Sequence, residues 1–167
     1  ESQVLESFEL AKKVAPQSAQ IFYRQGLIYA AQGQNIRCLE AASGVFNQAT
    51  LIDPLFIHAW HSWGNVLVRI GVFYDDSVYF QQADEKFKEA EKLFSGSELS
   101  SSLNLYWHWG VCWYHLAKHS GEVVDFFKAL EKFRRGEELD IAIGEFYNDY
   151  GNVLIELATL LGREELF

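Results

Sequence analysis

The sequence predicts an all-α fold built from antiparallel helix pairs stacked side by side. Three observations carry the prediction. An aromatic residue is followed four positions later by glycine at Phe22–Gly26, Trp60–Gly64, Tyr106–Gly110 and Tyr147–Gly151. A second unit, Phe-x-x-Ala, alternates with the first at Phe8–Ala11, Phe46–Ala49 and Phe87–Ala90, with a degraded copy at Phe133–Gly136. Prolines occur only at 16 and 54, each eight residues after a phenylalanine of this second unit. Period and order together read as one helix with a glycine seam, a second helix with an aromatic knob, then a stop.

The elements follow in order. Residues 2–14 read as a second-type helix, with Val4, Leu5, Phe8 and Ala11 at helical spacing. First-type helices are expected near 18–33, 55–73, 101–119 and 143–160. Second-type helices are expected near 36–51, 77–94 and 123–138. Pro16 and Pro54 end second-type helices because proline lacks the amide donor and clashes with the preceding turn. Asp75-Asp76-Ser77, Ser95-Gly96-Ser97 and His119-Ser120-Gly121 read as loops and caps. A glycine one turn after an aromatic lets a facing helix approach where any Cβ would hold it away. Ala42, Ala83 and Ala129, each four residues before a phenylalanine, leave room for a neighbour's side chain; Val4 holds the first such position. No pair can bury its own face, so the chain is expected to fold as a single domain. Its parts are 1–16 (a second helix whose first helix is missing), 18–54, 55–97, 99–141, and 143–167 (a first or capping helix). The absent initiator methionine and the opening inside an amphipathic pattern are read as a fragment of a longer protein.

These interlocked motifs resemble the tetratricopeptide repeat, with W-x2-L-G-x2-Y on the first helix and A-x3-F on the second. The resemblance covers nearly the whole chain. The glycine spacings of 38, 46 and 41 residues (26 to 64, 64 to 110, 110 to 151) depart from that family's 34. The resemblance implies a right-handed superhelical α-solenoid whose first helices line the concave face.

Composition bounds the function. Hydrophobic residues make up 49% of the chain and aromatic residues 16%, enough for a continuous core. A net charge of −9 disfavours nucleic acid as a partner. The longest apolar run, Val66 to Tyr74, contains Arg69, and no membrane insertion is expected. Two cysteines, Cys38 and Cys112, make no disulfide framework and point to the cytoplasm or another reducing compartment.

Charge is unevenly placed. Segments 17–33, 55–73 and 99–119 hold no Asp or Glu, where a uniform spread of 23 acids would place about eight. All five histidines lie in these segments, as do Arg24, Arg69 and Lys118. Burial of first helices would remove charge of both signs. Selective loss of acids points to a neutral-to-basic aromatic groove for a protein or peptide rich in acidic or aromatic residues. Groove candidates lie on the face opposite the glycine seam. They are Tyr23, Arg24 and Leu27; His58, His61, Asn65 and Arg69; Asn104, Trp107, His108, Val111, Tyr114 and His115; and Asn148, Asn152 and Ile155. Trp60, Trp63, Trp109 and Trp113 take core slots, which leaves Trp107 as the exposed aromatic anchor. Asn65 and Asn152 directly follow their glycines. The resemblance implies that an asparagine there bonds a ligand backbone. The family's carboxylate-clamp subtype does not fit. Its Lys and Arg positions fall on Tyr23, Asn104 and His108, or one repeat later on His61, Glu145 and Asp149.

His108, Cys112, His115 and His119 form one helical stripe at spacings where two neighbours can share a metal, but the stripe is too long for one ion. Packed or groove-lining histidines are the expectation, with no metal and no cofactor. No nucleophilic triad, phosphate loop or His-Glu-x-x-His motif occurs, so no enzyme is expected. The expected function is an interaction scaffold or adaptor, chaperone-like in character. The alternatives are a self-assembly (homo-oligomer) module and, behind it, a His/Cys metal-binding protein.

Overall fold

The structure, a computed structural model, describes residues 7–8, 10–11, 13–94, 99–139 and 144–162; of residues 99–104 only the backbone is described. Described residues between 7 and 14 are helical, in line with the expected leading helix; its remaining positions lie outside the description. Seven helices follow among the described residues: α1 (Ala19–Ala31), α2 (Ile36–Ile52), α3 (Ile57–Tyr74), α4 (Ser77–Lys92), α5 (Leu99–Ser120), α6 (Val123–Glu137) and α7 (Gly144–Leu161). Helices α1, α3, α5 and α7 are the expected first type, and α2, α4 and α6 the second.

Local chemistry sets the boundaries. Asn35 and Asp76 cap α2 and α4, their side-chain oxygens accepting from the amides of Arg37 (3.0 Å) and Val78 (2.9 Å). Asp75 closes α3 in the left-handed conformation (φ 52), and Gly121 does the same after α5 (φ 69). Pro54 lies in the α2–α3 turn, where its carbonyl accepts from the Trp60 indole at 2.9 Å. The expected Ser95-Gly96-Ser97 loop lies outside the described residues.

Each helix packs on the next along the chain. Contacts that skip a helix occur between α1 and α3, α3 and α5, and α5 and α7, whereas α2, α4 and α6 do not touch one another. The first-type helices therefore form a continuous layer, and the second-type helices lie apart on its other side.

The glycine seam is the joint of each pair. A Cβ built on Gly26 would meet the Phe46 ring at 2.5 Å; at Gly64 it would meet Phe87 at 2.7 Å, and at Gly110 Phe133 at 2.7 Å. All three rings are fully buried. The two interleaved motifs are thus the two halves of one contact: the phenylalanine of each second helix lies directly on the glycine of its own first helix. Gly71 makes a second such contact, with Phe80 (2.7 Å). Ala42, Ala49, Ala83, Ala90 and Ala129 are fully buried, as close helix approach requires. Gly151 differs: nothing lies within 4 Å of its Cβ position, and no second-type helix covers it among the described residues.

Candidate functional site

Helices α3 and α5 run side by side in the first-type layer, and a cleft opens between their outward faces. It encloses about 440 Å³ and is lined by Asn65, Val68, Arg69, Val72 and Phe73 of α3, Val111 and His115 of α5, and Gly33 and Leu39. A second recess of about 400 Å³, lined by Val72, Asp75, Phe80, His115, Lys118 and His119, shares Val72 and His115 with it. Together they form a trough with an apolar floor and a rim of imidazole, guanidinium and ammonium groups. The carboxylate on the rim, Asp75, lies 3.2 Å from His119 Nε2.

Of the sequence candidates, Asn65, Arg69, Val111 and His115 converge on this trough. His61 and His108 do not line the trough but form a polar node beside it, reached through Asn65. His61 Nε2 lies 2.8 Å from His108 Nδ1, with the rings stacked at 5.1 Å and 17°. The Asn65 amide nitrogen lies 3.4 Å from both nitrogens of His108. Burial disfavours the imidazolium and lowers the pKa of His108 to about 4. At neutral pH the ring is uncharged, so one tautomer can satisfy the His–His hydrogen bond. His115 lies flat on Phe80 (5.0 Å, 8°); burial first, then Lys118 and His119, lowers its pKa as well.

Other candidates are committed elsewhere. Trp107 is half-buried, not an exposed anchor: its indole N–H donates to Asp149 Oδ2 of α7 at 2.8 Å, and the ring packs on His108 at 5.2 Å. The Tyr114 hydroxyl points to Glu156 Oε1 of α7 at 3.5 Å. These two contacts account for Asp149 and Glu156, two acids that α7 keeps where the other first-type helices have none: both carboxylates face donors on α5. Tyr23 is half-buried against Phe56, Phe46 and His58, which makes Tyr23 and His58 packing residues of the α1–α3 contact. Arg24 and Leu27 are exposed on α1, and Asn148, Asn152 and Ile155 on α7, without lining the trough. The side chain of Asn104 lies outside the described residues.

Arg69 has two roles. Its Nη1 donates to the carbonyl of Ala30 at 2.8 Å, capping the C-terminus of α1. Its guanidinium fills the space over Gly33, where a Cβ would overlap it.

The histidine–cysteine stripe does not act as a unit. Cys112 is buried and turns away, its thiol donating to the Phe80 carbonyl (3.2 Å), and burial raises its pKa well above the usual thiol value. Among the described residues, no three His, Cys, Asp or Glu side chains converge as metal ligands. No helix among them is long and apolar enough to cross a membrane.

Three features escaped the sequence reading. Val72 and Phe73 are 52% and 58% exposed and give the trough its apolar edge. Asp84 is buried, accepts the Trp109 indole N–H at 2.7 Å and pairs with Lys88 at 2.5 Å. Lys86 lies 4.5 Å over Trp63, and Lys132 lies 3.9 Å over Trp109. The same lysine-on-tryptophan contact thus recurs at equivalent positions of successive pairs, a signal visible in the sequence as one repeated Trp-to-Lys spacing.

No family model and no curated protein matches the chain.

Proposed function

We propose that the chain is a divergent tetratricopeptide-like repeat protein, a right-handed superhelical solenoid, that acts as a binding scaffold. In this reading the first-type helices line its concave face, and the α3–α5 trough holds an extended peptide or a partner helix. The observation that supports it is the trough itself: Val68 and Val111 offer an apolar floor and Val72 an apolar edge, while Arg69 and Lys118 offer positive charge and His115 and His119 imidazole groups along the rim. A matching ligand carries an aliphatic or aromatic anchor followed by a carboxylate. Asn65 stands at the node where it can both donate to and accept from a peptide backbone.

The test is a peptide-display selection on the wild-type chain, counter-selected on Val72→Glu and read by titration calorimetry. Val72 is half-exposed, so its replacement leaves the fold intact. Selected peptides are expected to be acidic with an apolar anchor, and to lose about tenfold or more in affinity, some 1.4 kcal/mol, against the variant. Equal affinity for both proteins removes the trough as the binding site.

A further inference from the structure

We propose that the recess beside Lys118 and His119 is the acid subsite of the trough, and that Asp75 occupies it until the side-chain carboxylate of a bound peptide displaces it. The proposal deepens the scaffold reading and rests on the trough being the binding face.

Unbalanced charge is the first observation. Each lysine of α4 and α6 has a carboxylate within 3.8 Å, as Lys92 has Glu89 (2.6 Å) and Lys128 has Asp125 (2.9 Å). The two permanent cations of the trough differ. Arg69 donates to a backbone carbonyl and Lys118 lies 5.5 Å over the Tyr114 ring, and neither meets a carboxylate among the described residues. A carboxylate brought from outside would supply the missing partner.

The order of the recess is the second. Phe80 is fully buried and fixes two imidazoles: His115 lies flat on it at 5.0 Å and His119 is tilted against it at 5.6 Å. The His115 ring faces both the cleft and the recess, and among the described residues its nitrogens have no hydrogen-bond partner. Side chains held in this way meet an acid without first being ordered.

Asp75 shows what the recess takes. Its carboxylate lies 3.2 Å from His119 Nε2, yet its side chain is 93% exposed. An ion pair so open to water contributes little, so a carboxylate carried on an anchored peptide can replace it at small cost. The cleft and the recess share Val72 and His115. An acid about one to three positions after the apolar anchor therefore reaches the subsite along an extended chain.

The experiment is titration calorimetry with synthetic capped peptides, each carrying one Leu or Phe anchor among Gly, Ser and Ala. One series places Asp after the anchor, and its counterpart has Asn there. The wild type is expected to bind the Asp series about tenfold more tightly than the Asn series, and Lys118→Gln to lose most of that preference. Asparagine keeps the left-handed turn at the end of α3, so Asp75→Asn removes the internal acid alone. It is expected to tighten Asp peptides about threefold or more and to leave Asn peptides unchanged. Asp76→Asn removes the same charge one residue on and keeps the α4 cap; screened by salt, it is expected to change affinity less than about twofold. Circular dichroism checks that the variants stay folded. Asp and Asn peptides that bind the wild type equally, or a Lys118→Gln chain that keeps the full preference, overturn the acid subsite; loss of both series on Val72→Glu would still leave the trough standing. An Asp75→Asn chain that binds Asp peptides more weakly, or gains no more than Asp76→Asn, overturns the displacement. If no peptide binds, the trough and its subsite fall together.

Discussion

Replacing seam glycines by alanine should produce opposite signs along one chain. At Gly64 two effects compete. Alanine in a helix interior gains about 1 kcal/mol over glycine. Against this, the new methyl would lie 2.7 Å from one carbon of the Phe87 ring and 2.9 Å from two others. The ring is fully buried and closed in by Trp109 (6.3 Å) and His61 (6.2 Å), so it cannot swing away. Overpacking of this kind costs about 1–3 kcal/mol. The helix pair must open, and the net result is a loss of about 1 kcal/mol, reaching about 2. The same holds at Gly26 and Gly110, where the contacts are 2.5 and 2.7 Å. At Gly151 and Gly44 nothing lies within 4 Å, so only the propensity gain remains, and alanine should stabilise by about 0.5–1 kcal/mol. Each kcal/mol moves the melting midpoint by about 2–4 °C in a chain of this size. Thermal melts followed by circular dichroism at high dilution should place Gly26→Ala, Gly64→Ala and Gly110→Ala below the wild type, and Gly44→Ala and Gly151→Ala above it. If all five rise together, the rings yield freely and the close-packed joint is wrong.

Two further perturbations probe the polar contacts. Asp84→Ala leaves the buried Trp109 indole N–H without an acceptor and should cost about 1–3 kcal/mol in urea unfolding, whereas Glu85→Ala, on the exposed face of the same helix, should change stability by less than about 0.5 kcal/mol. His108 has a folded-state pKa of about 4 against 6.5 for the free side chain, so the unfolded chain binds the proton more readily. Its contribution is complete above pH 6.5 and is lost as pH falls toward 4, up to about 3 kcal/mol. Urea titrations from pH 7.5 to 4 should show a shallower decline for His108→Gln than for the wild type. Identical slopes would mean that the ring is not held neutral.

The helix-pair plan was legible because its joint needs two residue types at fixed places. Gly26, Gly64 and Gly110 leave room for Phe46, Phe87 and Phe133, and each half repeats along the chain. Helix ends were legible where a local rule sets them, as with Asp76 at α4 and Gly121 after α5. What failed depended on groups far apart in sequence. The sequence marks Trp107 as an exposed anchor because nothing local reveals that Asp149, on the next first-type helix, waits for its indole. Arg69 lines the trough as its spacing predicts, but its second use as a cap depends on the Ala30 carbonyl. Asp84 was lost among acids of a solvated helix because its burial comes from Trp109 on the next helix. The trough is part local and part not. Asn65, Arg69, Val111 and His115 follow from helix geometry, but the exposure of Val72 and Phe73 appears only once α3 and α5 are side by side.

Amide chemical-shift mapping, with a selected acidic peptide titrated into the isotope-labelled chain, reads the binding face directly. Partner capture in the trough requires the largest shifts at Asn65, Val72, Val111 and His115, with α6 and the solvent-exposed residues of α2 and α4 nearly silent. Shifts concentrated on the second-type helices would contradict it.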